Sequence, residues 1–249
     1  MIEKTEQQIM ENWQTEEMIV SIACVAFNHE EYLHATLDSF LMQETSFPFE
    51  ILINDDVSTD GTVDILKEYE AKYPNIVKPV YQTENQYSKG INTISLLFPY
   101  AKGKYVAFCD GDDYWTDTKK LQIQVDAMQK HPEVDLSFHP CYRDTDGVFT
   151  KVLTKHADTD KIFSVNHSIK GHGKFAETVS MMFTRSLISS LPEWYTTALP
   201  GDYVSEVMGA ERGGSLYINR IMSAYRAGLE GGWTPVSYTH LTLPTKRIV

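Results

Sequence analysis

Between Val20 and Phe27 the chain reads VSIACVAF, a short run rich in β-branched residues and almost free of polar side chains. A strand of that kind has no face for water. It calls for a sheet covered on both sides, as parallel sheets with crossover helices are. The covering helix follows at once: Leu33, Leu37, Phe40 and Leu41 fall at i, i+4, i+7 and i+8 and form one apolar stripe.

The same unit repeats with variations. Glu50 to Asn54 reads as a second strand, and Val63, Leu66, Tyr69 and Tyr73 place one apolar face on a helix that Pro74 stops. Ile76 to Tyr81 is a third strand, Asn92 to Phe98 part of a helix, and Tyr105 to Cys109 a fourth strand. Leu121, Val125 and Met128 mark a further helix, closed by His131 and Pro132, and Val134, Leu136 and Phe138 alternate as in a half-buried strand. Alternating strand and helix define an α/β layer fold. Beyond it lie a glycine-rich turn at Gly171 to Gly173, apolar Val179 to Phe183, a helix from Asp202 to Ala210, and short strands near Leu216 to Ile218 and Ile221 to Tyr225.

With 249 residues, 42% of them hydrophobic, one large domain is the economical reading. A formal net charge of -12 excludes a broad nucleic-acid surface, which needs clustered cations, so any phosphate here is handled through a metal. No run approaches the roughly 20 apolar residues of a membrane span, and Met1 to Glu17 lacks the apolar centre of a signal peptide, so a cytoplasmic protein is expected. Cys24, Cys109 and Cys141 sit in apolar runs and read as reduced core residues.

Two loops at strand ends carry the chemistry: Asp55, Asp56, Val57, Ser58, Thr59, Asp60, Gly61, and Asp110, Gly111, Asp112, Asp113, Tyr114, Trp115. In open parallel sheets ligands bind outside the carboxyl ends of the strands, where such loops converge. Carboxylates are hard ligands for Mg²⁺ or Mn²⁺, which also bind substrate phosphates. Two structural alternatives compete: Asp113 or Thr116 caps the next helix, and Asp60 caps the helix after the first loop.

In order and context, VSIACVAFNHEEYLHATLDSFLMQ, EILINDDVSTDGTVDILKEY, the segment Asn85 to Asn92, GKYVAFCDGDDYWTDTKKLQIQVDAM and LPGDYVSEVMGAERGGSLYINRIMSAYR resemble the family-2 glycosyltransferases. The resemblance implies a GT-A fold, a Rossmann-like three-layer α/β/α sandwich with a mostly parallel central sheet, over about residues 18–234. It implies that the strand end Ala26 and Phe27, with Asp55 and Asp56, holds the base and ribose of a nucleotide diphosphate sugar, UDP-sugar first. Lys89 would approach the diphosphate. Asp112 would touch a Mg²⁺ or Mn²⁺ ion, with Asp110 at the ion or the ribose. Asp202, in Pro200-Gly201-Asp202, would be the general base for inverting transfer to a glycan or lipid-linked acceptor in surface polysaccharide or glycolipid synthesis; the competing structural role is an N-cap. Many members carry a His after a Tyr-Arg pair, whereas Tyr225 and Arg226 lead into Ala227, Gly228 and Leu229, leaving the third metal ligand open.

Tyr114 and Trp115 offer either a wall beside a sugar ring or core packing, and Trp194 and Trp233 carry the same ambiguity. No histidine pair has metal-ligand spacing. Pro235 to Val249 has no placeable period and reads as a non-native tail, so that a natural segment after Thr234, able to contact a membrane periphery, is missing. Two other functions compete: a sugar-phosphate nucleotidyltransferase, against which the absence of a glycine-rich basic loop after Phe27 argues, and a non-catalytic nucleotide-binding module.

Overall fold

The computed structural model describes residues 2–229, so Trp233 and the segment from Pro235 to Val249 lie outside the described residues. The chain opens with a short helix, α1 (Glu6–Met10), closed by a reciprocal cap between Thr5 and Gln8. Ile9 is buried, and Glu6 accepts hydrogen bonds from the Asn75 and Ile76 amides, which fastens this polar segment to the domain.

The frame that follows is β1 (Val20–Ala26), α2 (Leu33–Leu41), β2 (Phe49–Asp55), α3 (Thr62–Lys72), β3 (Val77–Tyr81), β4 (Tyr105–Asp110), β5 (Tyr114–Trp115) and α4 (Lys120–Lys130). The irregular half adds β6 (Leu136–Phe138), β7 (Cys141–Thr145), β8 (Val148–Leu153), β9 (Lys161–Phe163), α5 (Val165–Gly171), β10 (Met182–Thr184), α6 (Arg185–Ser190), α7 (Gly201–Glu211), β11 (Ser215–Tyr217) and β12 (Ser223–Arg226).

An eight-stranded sheet runs β3-β2-β1-β4-β10-β6-β11-β9. β3, β2, β1 and β4 are mutually parallel, β6 and β11 are parallel, and β10 and β9 are the reversed strands. As the apolar run at its centre requires, β1 is covered on both faces. Ile22 and Cys24 pack with Leu33, Leu37, Leu66 and Val125 on one side, while Ala23 packs with Ile94, Leu97 and Phe108 on the other. The mixed α/β architecture expected from the sequence is therefore present.

Three local expectations shift. On α3 the buried face is Thr62, Ile65, Leu66 and Tyr69, with Val63 at its edge. Thr93–Tyr100 forms a 3-10 helix with Pro99 inside it, because proline cannot donate to an α-helical ladder. β6 is buried on both faces, Ser137 included, because α4 lies over the Ser137 side and Gly209 of α7 lies against Leu136 on the other. Its polar Ser137 is accommodated by a hydrogen bond from Gln124 Nε2 at 3.2 Å.

A second sheet, β5-β12-β7-β8, packs beside the first. Because β5 belongs to it and β4 to the large sheet, the three residues between them, Gly111, Asp112 and Asp113, are clamped at both ends. No helix among the described residues is long and apolar enough to cross a membrane.

Candidate active site

Both acidic loops leave strands that flank β1. Ala26 pairs with Asp55 on one side and Val25 with Asp110 on the other. The Asp56 amide donates to Ala26 O at 3.0 Å and the Gly111 amide to Val25 O at 2.8 Å, so the end of one buried strand fixes the backbone of both loops. From behind, the hydroxyl of buried Thr36 in α2 reaches Gly111 O at 2.9 Å and Asp113 O at 2.6 Å.

Asp110, Asp112 and Asp113 each offer a carboxylate oxygen within 4.8 Å of the others. Burial first, then the charges of Asp112 and Asp202, push the Asp110 carboxyl up to about 8. Asp113 is raised well above the usual carboxylate range by burial and by its two neighbours. Three close oxygens that repel one another, in a hard donor set, are what a divalent cation would relieve. Asp113 is 1% exposed, takes the Arg226 amide on Oδ1 at 2.8 Å and has no hydrogen bond on Oδ2. It is not the cap of α4: that position is Lys119, whose amide is taken by the Asp117 side chain at 2.9 Å, and neither Asp113 nor Thr116 serves it.

Asp202 lies in the first turn of α7, where Pro200 occupies the N-cap, and its Oδ1 accepts from the Tyr203 amide at 2.7 Å. The helix start is built to hold it. A Cβ on Gly201 would sit 2.4 Å from Asn92 Nδ2, so only glycine permits that approach. Ser205 Oγ donates to Gly201 O at 2.7 Å and bonds the Tyr195 hydroxyl at 2.5 Å. Burial raises the Asp202 carboxyl, and its charge is felt at Asp110, Glu177 and Glu206.

On the nucleotide side the two adjacent carboxylates differ. Asp56 accepts from the amides of Gln86 at 2.7 Å and Tyr87 at 2.9 Å, so its oxygens secure the loop that leads to Asn92. Asp55 takes the Ser58 amide on Oδ2 at 3.3 Å, and its buried Oδ1 has no partner. Phe27, at the end of β1, is 45% exposed beside them. Lys89 is not brought to the cluster. It pairs with Glu84, and no influence of its charge appears at Asp110, Asp113 or Asp202.

A family model described as Glycosyl transferase family 2 matches residues 21–191. The chain belongs to that family. Among curated relatives, the uncharacterized protein Rv1520 of Mycobacterium tuberculosis is 33% identical over 221 residues, covering 86% of this chain and 60% of the relative. The UDP-Glc:alpha-D-GlcNAc-diphosphoundecaprenol beta-1,3-glucosyltransferase WfaP of Escherichia coli is 36% identical over 137 residues, covering 55% of this chain and 51% of the relative. The chain thus spans less than two thirds of the length of these relatives. S. aureus TarS 1-349, solved with UDP-GlcNAc, superposes with TM-score 0.67 at 19% identity, over 86% of this chain and 60% of that one. The mannosyltransferase PcManGT of Pyrobaculum calidifontis, solved with GDP-Man and Mn2+, gives TM-score 0.59 at 16% identity, over 91% and 64%. The two superpositions carry the GT-A fold.

This glycosyltransferase has site neighbours that spacing arguments pass over. His29 stands against Gly111, with Nε2 4.0 Å from Asp112 Oδ2 and a buried Nδ1 that lacks a partner. Arg226 donates through Nη1 to Asp112 O, and its guanidinium lies 4.4 Å from the Tyr114 ring centroid and 5.3 Å from that of Tyr32. Trp115 is core: it packs on Phe40 with centroids 4.5 Å apart. Tyr114 donates to Asp144 Oδ2 at 2.8 Å, and Trp194 is exposed. The signal for His29 was available, since it follows the end of β1 as closely as the acidic run follows β4. Glu177 gave no sequence signal.

Proposed function

We propose that this family-2 glycosyltransferase binds a nucleotide diphosphate sugar, UDP-sugar first, and transfers the sugar with inversion to the hydroxyl of a glycan or lipid-linked acceptor in surface-polysaccharide synthesis. One observation carries the proposal: three mutually repelling carboxylates end β4, and Asp202 is close enough for its charge to be felt at Asp110. WfaP, named for a UDP-Glc donor and a diphosphoundecaprenol acceptor, and TarS, solved with UDP-GlcNAc, lend support to the donor and acceptor classes.

Asp110 and Asp112, with Asp113 beside them, would hold Mg²⁺ or Mn²⁺. That ion would neutralise charge on the departing diphosphate. Asp55 Oδ1, free and buried, accepts a base N–H or ribose hydroxyl; Asp56 keeps the Gln86–Tyr87 loop in place; Ala26 and Phe27 flank the base. Asp202 takes the proton of the acceptor O–H as that oxygen bonds to the anomeric carbon and the bond to the diphosphate breaks. Its raised carboxyl makes it a stronger base than a free aspartate, provided the medium leaves it ionised.

The test pairs two variants. Asp112→Asn is expected to abolish Mn²⁺-dependent UDP binding in calorimetry, whereas Asp202→Asn keeps that binding and loses donor turnover by at least about 100-fold, the low end for a general base. Turnover retained in Asp202→Asn would remove Asp202 from the role. Donor cleavage absent from the unmodified protein with all sugars tried would sink the catalytic reading itself.

A further inference from the structure

At the end of the large sheet opposite the acidic loops lies a cleft of about 750 Å³, within the size range of small-molecule sites. β4 runs from one to the other. Tyr105 lines the cleft and Asp110 belongs to the acidic cluster, so about five residues of extended chain, roughly 17 Å, separate the two. Four cations line the cleft, Lys102, Lys104, Arg185 and Arg212, against a single carboxylate, Glu17. In a chain with a formal net charge of -12, that is a local reversal of sign.

The backbone places these cations. Thr184 of β10 pairs with Tyr105 of β4, and the Arg185 amide donates to Lys104 O at 2.9 Å, so the antiparallel register sets Arg185 directly across from Lys104. Like charges opposite each other destabilise a sheet. Gly103, between the two lysines, is pressed onto β1: an added Cβ would lie 2.4 Å from Ser21 N, and the Gly103 amide donates to Ser21 Oγ at 2.8 Å. The Lys102 amide donates at 2.8 Å to Oε1 of buried Glu50, an oxygen that also takes the Ser21 hydroxyl at 2.7 Å. The loop that carries both lysines is therefore pinned. Arg212 forms a fixed wall, its guanidinium forked on Asp135 with Nε to Oδ2 and Nη2 to Oδ1 both at 2.6 Å. Lys102, Lys104 and Arg185 remain. No side-chain hydrogen bond or ion pair engages any of these three among the described residues, and the Lys104 ammonium meets only the face of Tyr105, 5.6 Å from the ring centroid.

We propose that this cleft is a second ligand site, separate from the donor site, and that it takes a small phosphate-bearing molecule with the phosphate between Lys104 and Arg185. A guanidinium fork and an ammonium point charge set across one strand pair suit phosphate oxygens, and an anion between them removes a repulsion that the backbone imposes. Lys102, two positions away on the same pinned loop, adds a third cation to the rim. The concave shape favours a small molecule over a flat membrane surface. The site is independent of the transferase reading, since none of the residues assigned to donor, metal or base lines it.

The test is titration of the full chain with inorganic phosphate and with pyrophosphate in excess chelator, when the acidic cluster holds no metal and repels anions, followed by calorimetry and by amide resonances. Both anions should bind the unmodified protein, pyrophosphate more tightly because it spans more of the rim, with the Lys104 and Arg185 amides shifting and that of Gly111 staying still. Lys104→Gln/Arg185→Gln should weaken both at least about tenfold, the loss of one charge-assisted contact or more. The same variant should melt no lower than the parent, because the opposed charges are gone. Lys151→Gln/Lys174→Gln, which removes two exposed cations elsewhere, should leave both affinities unchanged. Equal affinity in the Lys104→Gln/Arg185→Gln variant and the parent overturns the proposal, and so does an equal loss in the Lys151→Gln/Lys174→Gln variant, which would register only the net charge of the chain. Binding confined to phosphatidylglycerol vesicles, with neither free anion taken up, overturns it too and assigns the cations to a membrane surface. Donor hydrolysis is followed separately: its absence from the parent removes the transferase reading, while the phosphate titration still decides this one.

Discussion

Gly111→Ala tests how the acidic site is packed. An added Cβ would stand 2.7 Å from His29 Nδ1, 3.0 Å from Val25 O and 3.3 Å from Ala26 Cβ. The Gly111 amide already bonds Val25 O at 2.8 Å, which holds the backbone in place and leaves the imidazole as the group that must move. Overpacking of this kind costs about 1–3 kcal/mol. For a domain of this size that is a fall of roughly 2–12 °C in melting temperature. Because His29 Nε2 faces Asp112 at 4.0 Å, the displaced ring also disturbs the carboxylate, and Mn²⁺-dependent UDP binding weakens in parallel. The decisive assay is a double-mutant cycle by chemical denaturation. With His29→Ala as background, Gly111→Ala should lose about 1–2 kcal/mol of its cost, the coupling of residues in direct contact. An identical cost in both backgrounds would refute the steric account and place the strain in the backbone at Val25.

Glu206 is fully buried with Oε1 unpartnered, and its carboxyl is pushed up to about 7, first by burial. A raised acid holds its proton more tightly when folded, so stability is full below the unfolded value near 4.5 and falls as pH rises to about 7, by roughly 3 kcal/mol at most; Glu206→Gln should flatten the denaturation midpoint across that window. Lys120, buried with Gln124 Oε1 at 2.6 Å and the Trp115 centroid at 4.2 Å, has its ammonium pushed down to about 7. A lowered base carries its full penalty below that pH, so Lys120→Met should be neutral to about 4 kcal/mol more stable at pH 6, with the gain shrinking towards pH 10. Mn²⁺ binding at pH 7 should release protons, since Asp110 and Asp113 are both raised; calorimetric enthalpies that do not depend on the buffer's ionisation heat would contradict this.

The parallel half of the fold was legible because its information is local. β1 and α2 announce themselves through an apolar run and a 3.6-period stripe, and their burial matches. The small sheet was not legible as a unit. β5 has two residues, and its partner β12 lies more than a hundred positions away, a pairing that no window of periodicity contains. The candidate site divides in the same way. Asp55, Asp110 and Asp112 lie at strand ends, where topology alone collects ligands, whereas Arg226 reaches the acidic run only through β12. Lys89 looked suited to a diphosphate by its loop, and its pairing with Glu84, five residues earlier, could be seen only once the loop was folded. Adjacent Asp55 and Asp56 were equivalent on paper; the backbone decides that one is a fastener and the other has a free oxygen.

That division bears on why so costly an acidic centre persists. Around the end of β4 Thr36 on two carbonyls, the Arg226 amide on Asp113 and the β5–β12 pairing hold together carboxylates that repel one another. Solvent cannot relieve the repulsion at Asp113, which is buried, and no cation among the described residues pairs with its Oδ2. Arg226, the nearest guanidinium, gives its charge to the Asp112 carbonyl and to two tyrosine faces. The scaffold therefore supplies rigidity and leaves the neutralising charge to come from outside: at neutral pH protons on the raised Asp110 and Asp113 keep the repulsion down, and a divalent ion takes their place by displacing them. A carboxylate pair left to solvated side chains would relax apart and bind the ion more weakly. On this account the clamp between the two sheets matters to the donor site as much as the acidic residues themselves.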